Sequence, residues 1–138
     1  MLLHPSRPSV LFVLIVFVAS PFIFVGCDSN NDVDSSLVGT WRLTSVNGQP
    51  PTPGVFLQYV FTESTVTVTS DLDCIETNSY ITNGNTISVT VTRVMGSQCG
   101  NDVGDTFSAE YRTSGNTLTL TVMDEDLGTG VFVFTKVS

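Results

Sequence analysis

The 138-residue sequence predicts an all-β fold, a small eight-stranded antiparallel up-and-down barrel, on three observations. Apolar and hydroxyl residues alternate strictly through Thr86-Ile87-Ser88-Val89-Thr90-Val91-Thr92, and again in 64–69 and 117–122. Period two over six or seven residues marks a strand buried on one face, and threonine suits the wet side of the pleat. Turn signals (Glu63-Ser64, Asn83-Gly84-Asn85 and Ser114-Gly115-Asn116) separate these runs at hairpin spacing. No window carries a helical period of useful length.

The first quarter of the chain is of a different kind. Residues 10–25 are almost entirely apolar, interrupted by Ser20 and Pro21, and are preceded by a short segment with His4 and Arg7 and no acid. This is the layout of a secretory signal peptide, 1–26. The run is shorter than the roughly 20 apolar residues that a transmembrane helix needs. It ends in Phe24-Val25-Gly26-Cys27. A thiol placed where an apolar helix ends can be acylated while still at the membrane, and each buried CH₂ of an acyl chain contributes about 0.8 kcal/mol to anchoring. Residues 28–36 are polar, acidic and aperiodic, and read as a flexible tether. The folded domain is therefore placed at 37–138.

Eight strands follow, at approximately 38–46, 55–62, 65–70, 74–82, 85–94, 105–113, 116–123 and 130–137. Short links make consecutive strands antiparallel neighbours. The longer connections are 47–54, rich in proline and glycine, and 95–104. Sequential pairing with one apolar face favours closure into a barrel, which leaves no free edge. A two-sheet β-sandwich is the competing architecture.

Charge and residue inventory narrow the function. All thirteen acidic residues follow Cys27, with only Arg42, Arg93, Arg112 and Lys136 against them, so the mature chain has a net charge of −9. Such a surface repels nucleic acid, whose binding relies on Lys and Arg. The only histidine, His4, lies in the leader, so His-dependent nucleophilic machinery and the usual zinc sets are missing. No enzyme activity, cofactor or metal is expected. Three groups of carboxylates (Asp71, Asp73 and Glu76; Asp102 and Asp105; Asp124, Glu125 and Asp126) lack the spacing of a calcium loop and read as turn acids on the surface. Cys74 and Cys99 are expected to pair in an exported protein, stabilising it by about 3–4 kcal/mol.

Two segments carry resemblances. Phe24-Val25-Gly26-Cys27 resembles the lipobox of bacterial lipoproteins, although leucine is more usual than Phe24. The resemblance implies acylation of Cys27 and a lipid anchor on a membrane of the bacterial cell envelope, the leaflet left open. Gly39-Thr40-Trp41 resembles the Gly-x-Trp motif on the first strand of lipocalin-like domains, and the hairpin 111–120 resembles a late hairpin of lipocalin-like lipoproteins. It implies that Trp41 plugs the closed end of a barrel and that Lys136 lies across it. The family's second motif is missing, and the domain is short for a lipocalin.

Alternation then names a candidate lining: Leu43 beside Trp41, then Leu57, Tyr59 and Phe61, and Phe107 with Tyr111. These side chains either fill the barrel or border a narrow apolar pocket whose mouth is polar from Tyr59 and Tyr111. The leading expectation is a tethered barrel holding a small hydrophobic ligand. The alternative is a protein-interaction module, such as an inhibitor of lysozyme or a protease, acting on an envelope protein through 47–54 and 95–104.

Overall fold

The computed structural model describes residues 33–126 and 128–138. The expected leader, Cys27 and residues 28–32 of the expected tether lie outside the described residues. Eight strands run in chain order: β1 (Gly39–Val46), β2 (Leu57–Phe61), β3 (Thr65–Ser70), β4 (Ile75–Asn83), β5 (Thr86–Met95), β6 (Thr106–Ser114), β7 (Thr117–Asp124) and β8 (Gly128–Lys136). Each pairs antiparallel with its neighbour, and β8 returns to β1, so the sheet closes and the sandwich alternative is excluded. Every strand begins and ends within two residues of its expected place.

The hairpins show why the turns are legible. Gly84 and Gly115 take φ of +59° and +57° at the first position of two-residue loops, with Asn83 paired to Thr86 and Ser114 to Thr117. A positive φ at that position is the geometry that follows the right-handed twist of the strands, and glycine adopts it without a Cβ penalty. Two β-bulges interrupt the ladders. Thr44 is the extra residue in β1 against β8, and Thr92 the extra residue in β5 against β4. Both use the hydroxyl to bridge the gap: Thr44 Oγ1 donates to the Val133 carbonyl at 3.1 Å, and Thr92 Oγ1 to the Thr77 carbonyl at 2.8 Å. A bulge bends its strand and sharpens the twist, as a small barrel requires.

The two ends of the barrel differ. At one end lie the start of β1, the tight turns β2–β3, β4–β5 and β6–β7, and the end of β8. Here Leu37, Trp41, Phe61, Val66, Tyr80, Tyr111, Leu118 and Phe134 form a continuous buried core. Trp41 and Phe134 are fully buried, and the Trp41 indole N–H donates to the Leu37 carbonyl at 2.7 Å. Tyr80 donates to the Thr62 carbonyl at 2.6 Å and meets the Phe61 ring edge-on at 5.2 Å. This end is solid.

Residues 33–36, the described part of the tether expected over 28–36, are held against the barrel. Val33 packs against the core, and the Leu37 amide donates to the Asp34 carbonyl at 2.9 Å to form a turn. The Tyr111 hydroxyl lies 3.0 Å from Asp34 Oδ2 and 3.1 Å from the Gly84 carbonyl, sharing its proton between them. Ser36 Oγ bonds to Thr113 Oγ1 at 2.8 Å. Polar, aperiodic sequence gave no hint of the ties to β6, because Asp34–Tyr111 and Ser36–Thr113 each join residues more than 70 apart.

Candidate functional site

The other end is open. Around it stand the β1–β2 loop, the β3–β4 link, the β5–β6 loop and the β7–β8 turn, and it leads into a cavity of about 720 Å³. Its walls come from the inward residues of β2 to β7. Leu57, Tyr59 and Phe61 line it from β2, Val66 and Val68 from β3, Ile87 and Val89 from β5, Phe107 and Ala109 from β6, and Leu120 and Val122 from β7. Phe61, Val66, Ile87 and Leu120 also belong to the buried core, so they form the floor where the cavity meets the solid end. That volume falls within the roughly 300–1,000 Å³ usual for small-molecule sites.

Strand β4 departs most from the apolar pattern. Its inward residues are Glu76, Asn78 and Tyr80, all buried, while Ile75 and Ile81 face out and are 40% and 51% exposed. Glu76, expected among the surface turn acids, is 7% exposed and lines the cavity. Register explains the correction: Glu76 is two and four residues from Asn78 and Tyr80, and the period of two carries all three inside. The Asn101 amide nitrogen, from the β5–β6 loop, lies 3.0 and 3.1 Å from the two Glu76 carboxylate oxygens. Asn78 is 1% exposed, and its side-chain oxygen has no hydrogen-bond partner among the described residues. Burial, reinforced by the Glu76 charge, pushes the Tyr59 phenol up to about 12. The phenol therefore stays protonated as a hydrogen-bonding group at neutral pH.

The mouth is held by covalent and polar ties. Cys74 and Cys99 form a disulfide that joins the β3–β4 link to the β5–β6 loop. Asp73 Oδ2 accepts from the Ser97 amide at 3.2 Å and from its hydroxyl at 3.0 Å, and the Asp73 carbonyl accepts from the Gln98 amide at 3.1 Å. Gly96 is required between them: at φ +114°, a Cβ there would collide with the Asp73 carbonyl. The remaining acid groups also shape turns. Asp71 Oδ1 accepts from the Phe56 amide, Asp105 Oδ2 from the Asp102 amide and Asp124 Oδ1 from the Asp126 amide. Cys74, Cys99 and Glu76 lie close enough together for a metal, but both sulfurs are spent in the disulfide, which leaves one carboxylate.

Of the lining candidates, Leu57, Tyr59, Phe61 and Phe107 border the cavity. Leu43 and Tyr111 do not. Leu43 is paired with Phe134, whose fully buried ring lies 4.7 Å from that of Tyr59 and fills this part of the interior. Tyr111 sits late in β6 and so belongs to the solid end, where it binds Asp34; the mouth is polar from other residues. Glu76, Asn78 and Asn101 were missed. The signal for the first two was the spacing to Tyr80, and for Asn101 its proximity in sequence to Cys99.

At the solid end the Lys136 ammonium stands 5.2 Å from the centre of the Trp41 ring, and the two residues are paired across β1 and β8. Gly39 makes room for this contact. Its φ is +138°, and a Cβ would come within 2.6 Å of Lys136 Cε and 2.7 Å of the Ser138 carbonyl. The spacing Gly-x-Trp thus has a steric meaning: one residue clears a path for the lysine, and the other receives its charge. A family model for the lipocalin-like domain matches residues 37–136. The chain belongs to the lipocalin-like domain family. No curated protein and no solved structure matches it. As in a lipocalin-like barrel generally, the open cavity fits the binding of a small ligand, and the plugged end supplies stability.

Proposed function

We propose that this lipocalin-like protein is a binding protein, not an enzyme, that holds a small, largely hydrophobic ligand in the cavity at the open end. The observation that carries the reading is that cavity of about 720 Å³, walled by aliphatic and aromatic side chains and edged by a few polar ones. Displacement of the uncharged fluorescent probe N-phenyl-1-naphthylamine tests it. The full chain in phosphatidylcholine nanodiscs is expected to bind one probe per barrel and release it to aliphatic competitors. Ala109→Phe, which places a ring inside the cavity, is expected to abolish saturable binding. A wild-type signal no greater than that of Ala109→Phe would exclude the reading.

The protein also acts, in this proposal, from a lipid anchor on Cys27 in the bacterial envelope. The sequence before and at Cys27 supports this. Metabolic labelling with a palmitate analogue is expected to mark the wild-type chain and to leave Cys27→Ala unlabelled.

A second reading, binding of an envelope protein through the loops, is favoured by the exposed apolar side chains Val55, Met95 and Val103 on the same end of the barrel. Its mark would be a partner captured by cross-linking from position 103 and lost on Val103→Glu.

A further inference from the structure

The cavity is apolar in its walls but acidic in its charges. Two ionisable carboxylates line it, Glu76 within and Asp124 at the rim, and no Lys, Arg or His among the described residues does. Glu76 is the unusual one. A carboxylate offers about four acceptor positions, yet at 7% exposure Glu76 receives hydrogen bonds from the Asn101 amide alone among the described residues, the Cys74 sulfur 3.7 Å from Oε1 having no proton to donate in its disulfide. A buried charge in that condition is costly unless a cation or further donors complete it. Independently, Asn78, next along the same inward face of β4, lines the cavity with a buried acceptor that has no donor. Tyr59 adds a protonated phenol close enough to feel the Glu76 charge.

Resting on the proposed binding role, we infer that the ligand is a cationic amphiphile: an apolar body in the cavity with a protonated amine donating to Glu76 and the Asn78 amide alongside. The head supplies both missing elements, positive charge and N–H donors. A fatty carboxylate of the same length would set its charge against Glu76 without a cation to receive it, and is disfavoured. The net negative charge of the chain draws cations toward the mouth.

Decylamine, decanol and decanoate share one apolar chain and differ in the head. Each is used at neutral pH to displace N-phenyl-1-naphthylamine from the full chain in phosphatidylcholine nanodiscs, with Ala109→Phe measured in parallel to subtract partition into lipid. Decylamine is expected to bind about tenfold or more tightly than decanol, the scale of one charge-assisted hydrogen bond, and decanoate most weakly. Glu76→Gln is expected to bring decylamine to the affinity of decanol, and its circular dichroism spectrum and melting temperature report an intact barrel. Equal displacement by amine and alcohol, or preference for decanoate, overturns the inference and leaves the cavity as a ligand site. An amine preference that persists in Glu76→Gln overturns it too, assigning the effect to general surface charge. Displacement by none of the three fails the binding reading itself.

Discussion

Asn101, on the β5–β6 loop, holds both carboxylate oxygens of Glu76, on β4, with one amide nitrogen at 3.0 and 3.1 Å. The loop and the cavity wall are thereby tied through a buried charge. Asn101→Leu is expected to lower stability by about 1–3 kcal/mol, the cost of leaving a buried polar group without its partner. Combining it with Glu76→Leu is expected to recover most of that loss, because no charge then remains to be satisfied. Urea denaturation of the two single variants and the double variant measures the coupling.

The disulfide Cys74–Cys99 closes a loop across the mouth with a sequence separation of 25. Replacing both cysteines by alanine is expected to cost about 3–4 kcal/mol through the entropy regained by the unfolded chain. Probe binding is expected to weaken as well, since Cys74 lines the cavity and Asn101 is two residues beyond Cys99. A full loss of stability with unchanged binding would show that the mouth keeps its shape without the bridge.

Gly39→Ala is expected to destabilise more than Lys136→Met. The first forces a Cβ into the Lys136 chain and the Ser138 carbonyl at φ +138°, whereas the second removes only the ammonium over Trp41. A cation–π contact is worth about 0.5–2 kcal/mol, and Lys136→Met keeps the aliphatic cover. Thermal melting, followed by the fluorescence of the single tryptophan, gives the order of the two.

All three tyrosines resist ionisation. Burial, then the Glu76 charge, pushes Tyr59 up to about 12; burial, then the Asp34 charge, does the same for Tyr80; burial and the bond to Asp34 raise Tyr111. In the unfolded chain each loses its proton near pH 10. From about pH 10 to 12 the unfolded state therefore binds fewer protons than the folded one, and stability falls as pH rises through that window. Below pH 10 this contribution is fully present. Tyrosinate absorbance is expected to appear together with loss of the folded circular dichroism signal; a resolved titration near pH 10 in folded protein would contradict it.

The strands were legible because threonine and valine in alternation admit one reading, and the turns because Asn-Gly and Ser-Gly pairs sit between them. The same alternation places Tyr59 and Phe107 on the inner face. Glu76 and Asn78 escaped because β4 inverts the rule: Ile75 and Ile81 look like the inner face and are the outer one. Hydrophobicity misleads wherever a barrel turns polar groups inward, and such positions are where a binding site departs from a plain core. Alternation places Leu43 and Tyr111 on the inner face but does not give their height along the barrel. Height depends on which end is plugged, and that follows from closure of all eight strands.

The short latch formed by Val33, Asp34 and Tyr111 sets how the barrel stands. Six residue steps separate Cys27 from Val33, a reach of at most about 20 Å. Val33 and Asp34 are fastened to the plugged end, and the mouth lies a further 20 Å or so away, the height of an eight-residue strand tilted in a barrel wall. If the proposed lipid sits on Cys27, the plugged base is expected to face the bilayer like the foot of a goblet. Spin labels at Gly48 and at Met123 would locate the rim, and relaxation by a lipid-phase quencher stronger at Met123 than at Ser114 would refute this posture. On the proposed anchoring and binding role, an upright cup is kept from dipping into the leaflet that carries it, and its proposed cargo is expected to come from, and return to, the water above.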